Sequence, residues 1–201
     1  KQTGRINESL FAKHKAVELA PLDAQAHYNL STTLQELGRL EEAEASYTQA
    51  IALKPDYAEA YYNLGITLNE LGRLNEAEAS YMQAIVLKPD FAEAYSNLGN
   101  SLQELGRLGE AEASYRHAIA LKPDYLEAYS NLGNSLKELG RLGEAEASYV
   151  QAIALKPDYA EAHNNLGATL LELGRLDESE ASYTQAIALK PDYAEAHYNL
   201  G

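Results

Sequence analysis

The chain has 201 residues, of which 46% are apolar and none is cysteine, and a formal net charge of −14 at pH 7. The charge argues against a nucleic-acid backbone or an anionic membrane as partner, since both are held by clustered Lys and Arg, and leaves a basic or neutral polypeptide. Zero cysteines exclude a disulfide framework, a thiolate metal site and a thiol nucleophile.

From the N-terminus, Lys1 to Leu10 carry no signal-peptide pattern, and no apolar run in the chain is long enough to cross a bilayer. The expectation is a soluble, cytoplasmic protein. Gly4-Arg5-Ile6-Asn7-Glu8-Ser9 aligns with Gly72-Arg73-Leu74-Asn75-Glu76-Ala77, and Leu19-Ala20-Pro21 with Leu87-Lys88-Pro89. The chain therefore reads as opening partway through a repeated unit. Copies of 34 residues then follow without insertion at 24–57, 58–91, 92–125, 126–159 and 160–193, and residues 194–201 match the start of one more. A fixed period of this length is the signature of a solenoid, in which each unit packs on its neighbours, so a single array without internal domain boundaries is expected.

Each copy predicts two helices. The first, helix A, is expected to start at a D-x-x-E capping box, Asp56/Glu59, Asp90/Glu93, Asp124/Glu127, Asp158/Glu161 or Asp192/Glu195. It should stop at Gly38, Gly72, Gly106, Gly140 and Gly174, where a positive φ carries no Cβ penalty. The second, helix B, is expected to be capped at Asn75/Glu78 and Asp177/Glu180, more weakly by Gly109 and Gly143. It should end before Pro55, Pro89, Pro123, Pro157 and Pro191. Tyr61, Leu64 and Leu68 share one face of helix A, and Leu74, Ala77, Tyr81, Ala84 and Ile85 form a stripe on helix B. The recurring tyrosines of that stripe, Tyr47 to Tyr183, read as core, and its alanines as places where backbones approach closely. The recurring arginines and lysines read as surface partners of the many carboxylates.

These residues resemble the tetratricopeptide repeat: the period, Leu64-Gly65 in helix A, Ala77, Tyr81 and Ala84 in helix B, and closing Pro89. The resemblance covers essentially the whole chain. It departs where Ser31 replaces the helix A glycine and Ser179 an alanine, both expected to loosen the packing locally, and where Lys13 replaces an aromatic of the opening half-repeat. It implies an all-α fold, a right-handed superhelical solenoid of antiparallel helix pairs. Helix A would line a concave groove for a peptide or partner protein.

One helix A position is the same in all six copies: Asn29, Asn63, Asn97, Asn131, Asn165 and Asn199. An amide both donates and accepts, so a row of them one repeat apart can bond the N–H and C=O of an extended peptide without reading its side chains. The row resembles the asparagine ladder in the repeat arm of the protein O-linked N-acetylglucosamine transferases, and related bacterial repeat proteins. The competing reading is that these amides bridge neighbouring helices. Flanking positions vary, Tyr62, Ser96, Ser130 and Asn164 at one and Asn100 and Asn134 at the other, and side-chain selectivity is expected there. Glu36, Glu70, Glu104, Glu138 and Glu172 would give the groove an acidic rim or simply a solvated face.

No catalytic motif, cofactor site or metal site is found. His14, His27, His117, His163 and His197 are dispersed, three of them at an aromatic packing position, and there is no P-loop, GxGxxG, HExxH or GxSxG. The expected role is a non-catalytic interaction scaffold. The alternatives are a substrate-recruiting arm of a larger enzyme such as a glycosyltransferase, or a structural array that self-associates head to tail through its incomplete end repeats.

Overall fold

The computed structural model describes the backbone of residues 2–201 and the side chains of residues 9–201, so the expected likeness of Gly4–Glu8 to later repeats lies outside the described side chains. The described residues form helices and turns and no strand. Helices B are α1 (Gln2–Leu19), α3 (Leu40–Leu53), α5 (Leu74–Leu87), α7 (Leu108–Leu121), α9 (Leu142–Leu155) and α11 (Leu176–Leu189). Helices A are α2 (Ala24–Glu36), α4 (Ala58–Glu70), α6 (Ala92–Glu104), α8 (Leu126–Glu138), α10 (Ala160–Glu172) and α12 (Ala194–Leu200).

The chain divides into two compact units, residues 1–105 and 106–201. In the first, α2 packs on α3 and α4 on α5 as antiparallel pairs, and each helix B also packs on the helix A that follows. The second repeats this plan from α7 to α12. Within each unit the backbones of consecutive helices A come close, while consecutive helices B are joined by longer side chains, such as Arg116 of α7 to Glu144 of α9 at 3.1 Å, so the helix A side is the more closely packed one.

Small and aromatic side chains alternate in the core because helices A and B must nearly touch. Ala43, Ala77, Ala111 and Ala145 are buried, and the helix B tyrosines Tyr47, Tyr81, Tyr115, Tyr149 and Tyr183 are buried beside them, as the stripe predicts. Each ring lies against a helix A backbone: a Cβ on Gly65 would stand 2.6 Å from Tyr81 Cε1, and on Gly133 2.6 Å from Tyr149 Cε1. At Gly65 and Gly133 the missing Cβ is what gives the ring its place, whereas in the first copy Ser31 and Tyr47 are both fully buried. Ser31 and Ser179, the two departures, are buried, and each hydroxyl finds a carbonyl, Tyr28 O at 2.8 Å and Gly167 O at 2.8 Å. Lys13 at the atypical first helix donates from Nζ to Thr33 Oγ1.

The C-termini of helices A follow the glycines. Gly38, Gly72, Gly106, Gly140 and Gly174 have φ between 69° and 75°. Gly38 N–H donates to Gln35 O at 2.8 Å and Arg39 N–H to Leu34 O at 2.9 Å, the paired bonds of a Schellman turn.

The N-termini differ from expectation. The residue at the helix A N-cap is Tyr57, Phe91, Tyr125, Tyr159 or Tyr193, with no side-chain cap bond, so Asp56 and its equivalents stand one residue too early. The lysine three residues before each of these rings lies over it: Lys54 is 4.4 Å from the Tyr57 centroid and Lys88 4.5 Å from that of Phe91. Only in the first copy does an aspartate occupy the cap, and there Asp23 Oδ1 accepts the Gln25 N–H at 2.9 Å.

Helices B differ in the other direction, with the N-cap two residues before the expected one. Arg39, Arg73, Arg107, Arg141 and Arg175 hold the N-cap, while Asn75, Asp177, Gly109 and Gly143 lie inside the first turn. Each arginine forks onto the glutamate three residues on; Arg73 Nε and Nη2 donate to Glu76 at 2.7 and 2.6 Å. Several also reach back one repeat: Arg73 to Glu44 at 2.7 Å, Arg141 to Glu112 at 2.6 Å and Arg175 to Glu146 at 2.7 Å.

Candidate functional site

The asparagines lie on helices A, six residues from the N-cap, and within each unit several of them bond to the helix A before them. Asn29 is exposed and Asn63, Asn97, Asn131, Asn165 and Asn199 are partly exposed. Their amides are already engaged in part. Asn63 Nδ2 donates to Tyr28 OH at 2.8 Å and Asn97 Nδ2 to Tyr62 OH at 3.1 Å. Asn165 donates to Asn134 Oδ1 at 3.1 Å, and Asn199 to Asn164 Oδ1 at 3.3 Å. Asn29 Oδ1 accepts from Gln25 Nε2 at 2.9 Å.

Each of these inter-repeat bonds uses one N–H of an amide that has two N–H groups and a carbonyl oxygen. The row can therefore bridge repeats and keep capacity for a ligand; the two readings of the sequence are not exclusive. The signal that could have revealed the bridge is the pairing of Tyr28 with Asn63 and of Tyr62 with Asn97, each 35 residues apart.

The flanking positions are where the structure corrects the sequence reading. Ser96 is 2% exposed, Ser130 4% and Asn164 1%. A side chain so covered cannot read a ligand, and these three are packing residues. Asn164 is saturated, donating to Glu195 Oε1 at 3.2 Å and Asn165 Oδ1 at 3.4 Å while accepting from Asn199. Tyr62 is partly exposed, and its ring packs on Phe91 with centroids 4.6 Å apart, just as Tyr28 stacks on Tyr57 at 4.9 Å. Asn100 and Asn134 are partly exposed; Asn134 Oδ1 accepts from Tyr149 OH at 2.7 Å. The rim carboxylates Glu36, Glu70, Glu104, Glu138 and Glu172 are all exposed.

The histidines are not brought together. His27, His163 and His197 each bond through Nε2 to the carbonyl of the proline six residues before, at 3.0, 3.0 and 2.9 Å, which ties the start of helix A to its turn. Among the described residues no group of three His, Cys, Asp or Glu could hold a metal ion, and no helix is long and apolar enough to cross a membrane.

Comparison with known proteins bears on the whole chain. A family model described as TPR repeat matches residues 33–71, 67–106, 99–140, 133–174 and 167–201, and one described as Tetratricopeptide repeat matches residues 15–45. No curated protein matches the chain. Among solved structures, YrrB, a TPR protein with an unusual peptide-binding site, is 26% identical with a TM-score of 0.79, over 93% of this chain and 96% of YrrB. MamA is 26% identical with a TM-score of 0.78, over 83% of this chain and 97% of MamA. PilF of Pseudomonas aeruginosa, 20% identical with a TM-score of 0.83 over 98% of this chain and 90% of PilF, shares the fold.

Proposed function

We propose, since the chain belongs to the tetratricopeptide repeat family, that it is a non-catalytic scaffold, a single cytoplasmic array that holds an extended peptide along its helices A. The observation that carries this reading is the asparagine that recurs in every helix A, where Asn63 and Asn97 each give one N–H to the repeat before, out of an amide with two N–H groups and an oxygen. Exposed carboxylates along the same helices favour a basic or neutral partner over an acidic one. The likeness to YrrB, which has a peptide-binding site, supports the same use of the fold.

Ladder binding is tested by titrating labelled unstructured peptides against the wild-type chain and against Asn63→Ala and Asn97→Ala. Each lost ligand bond weakens affinity by about 0.5–1.5 kcal/mol. Melting curves of the same variants give the separate loss from the bonds to Tyr28 and Tyr62. Unchanged affinity in both variants contradicts the ladder.

A second reading keeps the ladder and places the chain in a substrate-recruiting arm like that of the O-linked N-acetylglucosamine transferases. The same six asparagines favour it, and the coding sequence around this segment in its parent gene decides it.

A further inference from the structure

Tyr81 differs from the other core tyrosines at its hydroxyl. Tyr47 OH donates to Gln35 Oε1 at 2.9 Å, and Tyr149 OH donates to Asn134 Oδ1 at 2.7 Å. In the repeat of Tyr81 one acceptor is lost and the other side chain is shorter and bonds elsewhere. Ile66 stands where Asn134 stands, and Asn69, in the place of Gln35, donates its amide to Ser101 Oγ at 3.0 Å. Tyr81 is 2% exposed as a residue, and since no buried side-chain oxygen among the described residues lacks a partner, its hydroxyl, bonded to neither Ile66 nor Asn69, is open to solvent at the recess it lines.

The ring lines a recess of about 220 Å³ between α4 and α6, walled by Ile66, Glu70, Asn97, Asn100 and Glu104. Glu70 and Glu104 are exposed and have no basic partner within ion-pair distance among the described residues, whereas Glu172, their counterpart, has Lys137 at 3.3 Å. Burial pushes the Tyr81 phenol above its ordinary value, and Tyr62, Glu70 and Glu104 add to that, so both carboxylates act on this ring. The hydroxyl stays protonated and can both accept and donate.

We infer that this recess receives the cationic side chain of a lysine or arginine on the bound peptide, with Glu70 and Glu104 neutralising the charge, Tyr81 OH bonding the cationic head and Ile66 packing against the methylene stem. An anion is excluded by the two carboxylates. A divalent metal ion is a poor match, because no third His, Asp, Glu or Cys joins them to complete a ligand set. A long basic side chain fits a site with an apolar wall and a charged rim. Because the recess includes Asn97 of the ladder, the main chain of a peptide held there passes its mouth. The inference rests on the peptide-binding reading and adds the residue class that the groove selects.

The test uses fluorescein-labelled ten-residue peptides of Gly, Ser and Ala with one central lysine, arginine or norleucine, titrated by anisotropy against the intact chain. The lysine and arginine peptides bind about tenfold or more tighter than the norleucine peptide, as expected for bonds to a charged group. Glu70→Gln/Glu104→Gln abolishes that preference. Glu41→Gln/Glu180→Gln removes the same charge at exposed positions elsewhere and retains it. Ile66→Asn restores the acceptor that Asn134 provides for Tyr149 and lowers the preference. Equal binding of lysine and norleucine peptides to wild type overturns the inference and leaves the ladder standing. A preference that survives Glu70→Gln/Glu104→Gln also overturns it, as attraction to the overall charge. Failure of all three peptides to bind overturns the peptide reading and the inference together.

Discussion

Gly65 has no side chain because the Tyr81 ring occupies the space where one would be, and Gly133 and Tyr149 repeat the arrangement. Gly65→Ala drives a methyl into a fully buried ring, and the unfolding free energy falls by about 1–3 kcal/mol. Gly109 lies in the first turn of α7 with nothing within 4 Å of a built Cβ, so Gly109→Ala raises it by about 0.4–1 kcal/mol. Urea denaturation of the two variants measures both. The tyrosine hydroxyls give a second contrast: Tyr149→Phe forfeits the bond to Asn134 and loses about 0.5–1.5 kcal/mol, while Tyr81→Phe, which forfeits none inside the chain, stays within about 0.5 kcal/mol of wild type. The burial of these rings was legible from the stripe Ala77, Tyr81, Ala84. Their hydroxyl partners were not, because the partner depends on whether Ile66 or Asn134 fills one helix A position, and periodicity carries no information on that.

Helix ends show where local signals suffice. The glycines past helices A fix a positive φ that other residues adopt only with strain, and their position alone located five C-termini. The D-x-x-E signature misplaced the N-termini by one residue because an aromatic ring, held under a lysine, occupies the cap between Asp56 and Ala58. In the first copy the order is Leu22-Asp23, the aspartate falls on the cap itself, and it bonds Gln25. Asp23→Ala therefore destabilises the chain by about 1 kcal/mol, and Asp56→Ala has little effect, as thermal melting checks.

At the start of helices B the arginine forks were legible only as surface pairing in general. Their hydrogen bonds hold Glu42, Glu76, Glu110, Glu144 and Glu178 below the usual glutamate range, the guanidinium bond being the largest cause in each. Since these carboxyls bind protons less readily when folded than when unfolded, their contribution is complete above the unfolded value of about 4.3 and disappears as pH falls through the lower folded values. Stability measured by urea at fixed temperature is accordingly flat from pH 7 to 5 and declines below about pH 4.3, less steeply in high salt.

Across the molecule, the unbroken period made the solenoid of helix pairs legible before any coordinate was known, since identical units can bury their apolar faces only against one another. The use of the asparagine row was less so. The same amides join Asn63 to Tyr28 and Asn97 to Tyr62, and a sequence cannot divide an amide between a neighbouring repeat and a ligand. Three flanking residues that varied among the copies, Ser96, Ser130 and Asn164, proved buried, because variation between near-identical repeats also tracks what each neighbour covers.

Changing the ligand leaves the inter-repeat bonds intact and isolates the central claim, that helices A hold the main chain of an extended peptide. The measurement is a calorimetric titration of the wild-type chain with a bound peptide, with the same peptide N-methylated at alternate amides, and with a scrambled version of equal composition. Main-chain recognition predicts that scrambling changes affinity little apart from the placement of basic residues. It also predicts that N-methylation weakens binding by about 0.5–1.5 kcal/mol per amide blocked. Full affinity in the methylated peptide would contradict the ladder.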